Sequence, residues 1–342
     1  MGWSGNNLRK LFFISSLALL WSCKGDEKPA ETIENPVEVK DVTPAAAKVP
    51  VPQLNADSAY YFLKKQVDFG PRVPGTKAHA LCGNYLSKEL KRFAFTVVTQ
   101  RAPIHTFDQK EFKLYNIIGS YLPEKSNRIL LMAHWDCRPF ADAETDPALR
   151  NKPIDGADDG ASGVAVLLEI ARQISLSKPD IGIDIFFTDL EDYGQPDDSP
   201  LPKMENSWCL GTQYWCSSPH VAGYNAKFGI LLDMVGAKGA VFPKEGTGMY
   251  YAPDIIEKVW SMAAHLGYAS SFVNNEMHST TDDHLYVNKE LKIPTIDIVH
   301  MRPDGRGYGD HHHKQKDNIE IIDPAVLKMV GQTVLEVVFR EI

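Results

Sequence analysis

Acidic residues and histidines occur in this sequence where they could bind a metal ion and move protons. Asp158 and Asp159 lie in a glycine-rich turn, Glu191 and Asp192 stand side by side after an apolar run, and three histidines occupy positions 311–313. A catalytic zinc ion takes about three ligands from histidine and carboxylate side chains and keeps one position open. These segments therefore predict a metal site with a separate carboxylate for proton transfer.

Each of these segments also has a plainer explanation. An acidic residue before a helix is a common N-cap, but this explains only one of the two aspartates in the turn 156–163. Adjacent loop acids are usually solvated, and a run of histidines alone is more often a surface cluster than a site. The order of the three segments, with the histidines after both pairs of acids, favours the functional interpretation.

The elements that must position these residues follow from the apolar pattern. Near-continuous apolar runs predict strands buried on both faces, at 115–122, 128–133, 181–188, 228–234 and 293–299. Helices are predicted at 58–67, 77–93, 161–174, 254–266 and 324–338. The order of strands and helices predicts a single α/β domain with a central, mostly parallel (mixed) twisted sheet flanked by helices.

The predicted strands lead into residues that could meet at one edge of this sheet. The second strand leads into His134, the third into Glu191 and Asp192, the fourth into Asp233, and the fifth into His300. Ligands of open α/β sheets bind beyond the carboxyl ends of the strands. Neighbouring strands lie about 4.8 Å apart, so we expect these side chains to converge on one ion.

The N-terminus has the features of a bacterial lipoprotein export signal. Arg9 and Lys10 precede an apolar run at 11–21 that is too short to span a bilayer comfortably, and Cys23 follows in a lipobox-like context. An uncleaved anchor and an ordinary signal peptide are the alternatives. We predict a signal peptide at 1–22, a lipid on Cys23, a flexible tether at 23–52 and a catalytic domain at 53–342. The predicted location is the cell envelope, facing the periplasm or the outer surface.

The overall charge and the remaining cysteines exclude some functions. The 342-residue chain has a formal charge of −8, so nucleic-acid binding has little electrostatic support. Besides Cys23, the cysteines are scattered without a CxxC pair or zinc-finger spacing, at positions 82, 137, 209 and 216. We expect all four to be buried free thiols.

Taken in order, the motifs resemble the zinc aminopeptidase-like family. They are FGPRVPGT (69–76), HWD (134–136), GADDGASG (156–163), the acid pair at 191–192, LLDMVGA (231–237), TDDH (281–284) and HxxxDN (313–318). The match extends from Gln53 to the C-terminus. Within the family, the last three motifs together are most similar to the glutaminyl-peptide cyclotransferase branch.

The resemblance implies a zinc centre. Asp159, Asp192 and His313 would be the ligands of one zinc ion, and the bond from Asp159 to Gly160 would be cis. Asp192 stands where many relatives have glutamate, a longer side chain, so the metal would shift slightly. The disulfide that animal members have beside the site is not expected, because Ala133 precedes His134.

The resemblance also implies the catalytic acids. Glu191 would be the acid/base, and Asp233 and Asp282 would hydrogen-bond to one another and to the reacting groups of the substrate.

The same comparison indicates the walls of the substrate pocket. Tyr308 and, through a looser alignment, Trp208 would form aromatic walls. Two departures from the animal members would change the lining, because His312 replaces a tryptophan and Thr281 a glutamine.

The implied activity is cyclisation of the N-terminal glutamine of peptides and proteins to pyroglutamate with release of ammonia, by a chain expected to act as a monomer. The main alternative is a two-zinc aminopeptidase, in which Glu191 activates a water molecule and His134 and Asp233 hold a second ion. A catalytically inactive lipoprotein that only binds peptides is the third hypothesis.

Overall fold

The computed structural model describes residue 47, residues 49–302 and residues 304–342. The predicted signal peptide, Cys23 and most of the predicted tether lie outside the described residues, and these assignments stay predictions. Within the described ranges, no helix is both long enough and apolar enough to cross a membrane.

The described residues form ten strands, several of them short. They are β1 (Thr96–Gln100), β2 (Pro103–His105), β3 (Glu111–Lys113), β4 (Asn116–Tyr121), β5 (Arg128–His134), β6 (Gly182–Thr188), β7 (Gly229–Asp233), β8 (Phe242–Lys244), β9 (Phe272–Glu276) and β10 (Thr295–Val299). Six of them form the central sheet in the order β1-β4-β6-β5-β7-β10, while β2 pairs with β3 and β8 with β9.

The central sheet is mixed, as predicted. The pairs β6–β5, β5–β7 and β7–β10 are parallel, whereas β1–β4 and β4–β6 are antiparallel. All residues of β4, β5, β6, β7 and β10 are buried, which explains their near-continuous apolar sequences. All five predicted strands are confirmed, with ends that differ by at most two residues.

Helices cover both faces of the sheet. They are α1 (Ala56–Val67), α2 (Lys77–Arg92), α3 (Pro147–Arg150), α4 (Ala161–Ser177), α5 (Leu210–Ser217), α6 (Gly246–Tyr251), α7 (Pro253–His265), α8 (Asp283–Tyr286) and α9 (Pro324–Phe339). The five predicted helices correspond to α1, α2, α4, α7 and α9. Helix α4 packs against β5 and β7 on one side and against α1 and α9 on the other, so it fixes the turn at its N-terminus relative to the sheet.

Gly163, in the first turn of α4, permits the close approach of this helix to β7. A Cβ atom at this position would lie 2.2 Å from the carbonyl oxygen of Leu232. Replacing a helical glycine by alanine normally stabilises a protein by about 0.5–1 kcal/mol. For Gly163→Ala we instead expect a loss of about 1–3 kcal/mol from overpacking, measured by thermal unfolding. Leu176→Ala, on an exposed position of the same helix, is the control, and a Gly163→Ala protein as stable as wild type would contradict the prediction.

The four cysteines confirm the expectation of free thiols. Cys82, Cys137, Cys209 and Cys216 are all buried and unpaired in the described structure. Burial raises the pKa of Cys82 to about 12, so that this thiol is protonated and unreactive at neutral pH.

Candidate metal and catalytic site

A cavity of about 330 Å³ opens at the carboxyl end of the parallel strands. Its size lies at the lower end of the range for small-molecule sites. All predicted catalytic and pocket residues line it, together with two of the three predicted metal ligands: Glu191, Asp233, Asp282, Trp208, Tyr308, His312, Thr281, Asp159 and His313. The cavity therefore unites residues that are spread over more than 150 positions of the sequence.

The three predicted metal ligands lie side by side at this edge. His313 Nε2 is 3.3 Å from Asp192 Oδ1 and 3.8 Å from Asp159 Oδ2. The other ring nitrogen of His313, Nδ1, is 3.2 Å from Asp142 Oδ1. A hydrogen bond from Nδ1 to a carboxylate fixes a histidine so that Nε2 is free to bind a metal ion.

The buried carboxylates of this group have unused oxygen atoms. Asp159 Oδ2 and both carboxylate oxygens of Asp192 have no hydrogen-bond partner among the described residues. Buried, unpartnered carboxylate oxygens are costly, and a cation between Asp159, Asp192 and His313 would satisfy them. Two carboxylates and one imidazole are also a donor set that suits zinc, so the residues fit the predicted ion.

His134 connects the carboxylates of a second group. Its Nε2 atom lies 3.0 Å from Asp159 Oδ1 and 3.1 Å from Asp233 Oδ1. The Nε2 atom carries at most one proton, so it can donate to only one of these oxygens at a time, and its hydrogen bond is with Asp233. The structure therefore brings the predicted second-site candidates together, and His134, Asp159 and Asp233 lie close enough to one another to hold an ion.

The turn before α4 holds Asp159 through contacts on both sides. Asp317 accepts hydrogen bonds from the backbone nitrogens of Asp158 at 2.8 Å and Asp159 at 3.2 Å. The peptide bond from Asp159 to Gly160 is cis, as the resemblance implied. A Cβ atom on Gly160 would lie 2.4 Å from the carbonyl oxygen of His134, so glycine allows the turn to reach the sheet.

Glu191 faces the cavity from a loop that is held by Asp136. The Asp136 carboxylate accepts hydrogen bonds from the backbone nitrogens of Glu191 and Asp192 at 3.2 and 3.3 Å, and the Cys209 thiol donates to Glu191 Oε1 at 3.3 Å. Burial, followed by the nearby charge of Asp282, raises the pKa of Glu191 well above its ordinary value. Glu191 is therefore suited to hold a proton near neutral pH.

Asp282 and Asp233 complete the acidic side of the cavity. Burial, followed by the charge of Asp233, raises the pKa of Asp282 well above its ordinary value. The two side chains are thus close enough to interact electrostatically, while their predicted hydrogen bond to one another stays a prediction.

Aromatic rings form the opposite wall. The rings of Tyr308 and His312 have centroids 4.4 Å apart, those of His312 and His313 3.6 Å, and those of Trp208 and His313 5.8 Å. The predicted pocket positions, including Trp208 and the exposed Thr281, all border the cavity. His300 does not join them, because its Nδ1 atom contacts the backbone of Val241 and its ring stacks on His311.

Comparison with known proteins decides the family. Residues 116–338 match the model of peptidase family M28. The chain belongs to peptidase family M28.

Several solved structures are similar to most of this chain. One is *Bacteroides thetaiotaomicron* glutaminyl cyclase bound to N-acetylhistamine, which is 51% identical, with a TM-score of 0.83, and covers 85% of this chain and 99% of that one. A Zn-dependent exopeptidase from *Parabacteroides distasonis* is 52% identical, with the same TM-score and the same coverage. The glutaminyl-peptide cyclotransferase of *Boiga dendrophila* is 24% identical over 64% of this chain, and the match spans 62% of that protein.

Two residues of this M28 chain that the motif analysis missed hold the site together. Arg138 is fully buried and donates to both carboxylate oxygens of Asp142 at 2.7 Å. It also donates to the carbonyl oxygen of Asp192 at 2.8 Å and lies 4.5 Å from the Trp208 ring. Arg138 and Asp142 follow the HWD motif closely, but their roles depend on the path of the loop. The one signal in the sequence was an arginine close to the motif.

Asp142 is expected to control metal affinity although it does not bind the ion itself. Burial opposes ionisation of Asp142, but hydrogen bonds from Arg138 and His313 lower its pKa below its ordinary value. Asp142→Ala removes the acceptor of the His313 Nδ1 proton, so we expect zinc affinity to fall about 10–100-fold. Competition with a chromophoric chelator measures this change.

The control for this prediction is Asp146→Ala. Asp146 caps the short helix α3 and accepts from the backbone nitrogen of Ala148. We expect its replacement to leave zinc affinity unchanged. Equal zinc affinity in wild type and Asp142→Ala would show that Asp142 does not orient His313.

Proposed function

We propose that the protein is a zinc-dependent glutaminyl-peptide cyclotransferase that acts on peptides and proteins with an N-terminal glutamine. The observation that carries the proposal is the placement of Glu191 in one cavity with Asp159 and His313 on one side and Asp233 and Asp282 on the other. The similarity to *Bacteroides thetaiotaomicron* glutaminyl cyclase at 51% identity supports it.

The reaction is intramolecular and its atoms balance without water. The α-amine nitrogen of the glutamine forms a bond to the carbon of its own side-chain carboxamide, and the bond from that carbon to the amide nitrogen breaks. The amine loses one proton and the departing nitrogen gains one, so that ammonia leaves and a five-membered lactam remains. A zinc ion supplies Lewis-acid activation of the amide carbonyl when bound.

Glu191 is the residue that transfers this proton. Its carboxylate accepts the proton from the attacking amine and then donates it to the leaving nitrogen, a role that requires a carboxyl group able to hold a proton near neutral pH. Asp233 and Asp282, which line the same cavity, accept hydrogen bonds from the substrate's N–H groups. Trp208 and Tyr308 enclose the side chain and limit access of water.

One zinc ion per chain is proposed, held by Asp159, Asp192 and His313. The unpartnered oxygens of Asp159 and Asp192 support this position. His134, Asp159 and Asp233 lie close enough together to hold a second ion, so the number of zinc ions is part of the test below. The two-zinc aminopeptidase is the less supported function because solved structures of glutaminyl cyclases are similar to this chain at 49–51% identity.

The test is to follow both products with one substrate. Purified protein is incubated with a Gln-initiated dipeptide, ammonia and free amino acids are quantified, and zinc is measured on the same sample. We expect ammonia and pyroglutamyl dipeptide in equal amounts, with one zinc ion per chain. Free amino acids with two tightly bound zinc ions would overturn the proposal in favour of an aminopeptidase. Peptide binding without either product would favour a catalytically inactive binding protein.

We further propose that the enzyme is a monomer anchored in the cell envelope through a lipid on Cys23. The support is the apolar run followed by the lipobox-like sequence before Cys23. Mass spectrometry of the N-terminal peptide from native membranes is expected to find a lipid on Cys23, and a Cys23→Ser chain is expected in the soluble fraction. Light scattering of the domain 53–342 is expected to give the mass of one chain.

A further inference from the structure

Behind the acidic side of the cavity lies a buried polar cluster of which the proposed reaction uses only Asp282. It consists of Glu245, Asp282, His284 and Asp297, each buried in the protein. Acceptor or donor atoms of Asp282, His284 and Asp297 all lie within 4.8 Å of one another. Asp282 lines the cavity, whereas the other three residues are not part of its lining.

Asp297 is unusual for its position in the fold. It lies in the middle of the parallel strand β10, opposite Leu231 of β7, and is fully buried. Neither of its carboxylate oxygens has a hydrogen-bond partner among the described residues. A buried and unpartnered carboxylate is costly, so Asp297 needs either a proton or a donor.

The surrounding groups favour a proton on Asp297. Burial, followed by the charges of Asp282, Asp233 and Glu245, raises the pKa of Asp297 well above its ordinary value. Adjacent buried carboxyl groups avoid ionising together by sharing a proton. A neutral Asp297 can donate a hydrogen bond to the Asp282 carboxylate, which is its acidic neighbour on the cavity side.

Glu245 and His284 close the other side of the cluster. Glu245 accepts hydrogen bonds from the backbone nitrogens of Thr247, Gly248 and Thr280, each at 2.7 Å. Its Oε2 atom is also 3.0 Å from His284 Nε2. Burial alone would raise the pKa of Glu245, but the hydrogen bond from His284 lowers it. Glu245 is thus ionised and holds the His284 ring, which lies beside Asp282 and Asp297. Within the described part of the chain, His284 Nδ1 has no hydrogen-bond partner.

We propose that Asp297 is a positioning residue, a hydrogen-bond donor inside the sheet that holds the Asp282 carboxylate in the orientation needed to bind the substrate. Among the described residues, the Asp282 carboxylate otherwise accepts a hydrogen bond only from the backbone nitrogen of its neighbour Asp283, at 2.5 Å. The inference rests on the proposed cyclotransferase function, in which Asp282 contacts the reacting groups. Asp297 itself does not touch the substrate.

The test compares two replacements that differ in their ability to donate. Asp297→Asn keeps the shape and an amide donor, whereas Asp297→Leu keeps the branched shape, with a larger volume, and removes the donor. Steady-state kinetics on a Gln-initiated dipeptide are measured with thermal unfolding and zinc content. We expect the Asn variant to stay within about threefold of wild type, because it still donates to Asp282. We expect kcat of the Leu variant to fall about 100-fold with little change in KM, because a displaced catalytic group costs about that much.

The unfolding temperature distinguishes a positioning role of Asp297 from a merely structural one. Replacing a buried ionisable group by an apolar residue is often neutral or stabilising, so the Leu variant is expected to unfold at or above the wild-type temperature while losing kcat. Asp297→Val, which suits a strand, takes its place if the Leu protein does not fold.

Three results would overturn the inference. They are a Leu variant with wild-type kcat, a folded Asn variant as impaired as the Leu variant, and a wild-type protein with two metal ions of which the Asn variant loses one. The last result would identify the cluster as a metal site. If the wild-type protein releases no ammonia, the proposed function itself is refuted. This outcome is visible before any Asp297 variant is compared.

Discussion

Glu191→Gln is expected to lower kcat for ammonia release by about 10²–10⁴-fold, the usual contribution of a positioned general acid/base. Glutamine has nearly the same shape but cannot accept the amine proton. Glu191 is not one of the proposed zinc ligands, and the loop that carries it is fixed through backbone hydrogen bonds to Asp136. Zinc content and unfolding temperature are therefore expected to match those of wild type.

The measurement is single-turnover and steady-state kinetics with zinc analysis on the same preparations. Glu124→Gln, the same replacement on an exposed turn outside the cavity, is the control and should have wild-type kinetics. A Glu191→Gln protein that retains full activity would remove Glu191 from the mechanism. Loss of zinc together with activity would instead make Glu191 part of the metal site.

Removal of zinc is expected to reduce turnover at least about 1000-fold, because Lewis-acid activation is worth several kcal/mol and about 1.4 kcal/mol corresponds to a tenfold rate. Protein dialysed against a chelator would also unfold at a lower temperature, because an ion that binds only the folded state stabilises it. The buried carboxylates of Asp159 and Asp192 would then lose the cation that offsets their charges.

Adding zinc back to the metal-free protein distinguishes loss of the metal from irreversible damage to the protein. One equivalent of Zn²⁺ is expected to restore both activity and unfolding temperature, whereas Mg²⁺ is not, since Mg²⁺ prefers an octahedral set of oxygen ligands. Full activity in a sample that contains less than about a tenth of an equivalent of any metal would contradict the proposed role of the ion.

The core strands of the sheet could be predicted because apolar residues repeat along them at nearly every position. Strands buried on both faces need apolar residues at nearly every position, and β5 and β6 have them. Strand β1 and the β2–β3 hairpin were missed because they are short and largely half-buried or exposed. A pattern of mixed polarity over three to five residues does not distinguish such strands from loops.

Site residues that directly follow a strand could be predicted from the sequence. Site residues that a loop places at the cavity could not. Asp233 ends β7, so its place at the sheet edge follows from the strand itself. The contact of Cys209 with Glu191 and the approach of Arg138 to Trp208 depend on loop paths, which no local pattern encodes. Asp297 did leave a signal, an ionisable residue inside an apolar strand, but the apolar pattern alone assigned it to the core.

The Arg138 guanidinium contacts residues on both the metal side and the substrate side of the cavity. It holds Asp142, which orients His313, and it also packs against Trp208 on the substrate side of the cavity. If zinc orders this arrangement and thereby favours peptide binding, then bound peptide must strengthen zinc binding by the same factor, because coupling between two sites is reciprocal. Zinc dissociation should consequently be slower in the presence of a non-cyclisable peptide, and replacement of Arg138 should abolish that difference.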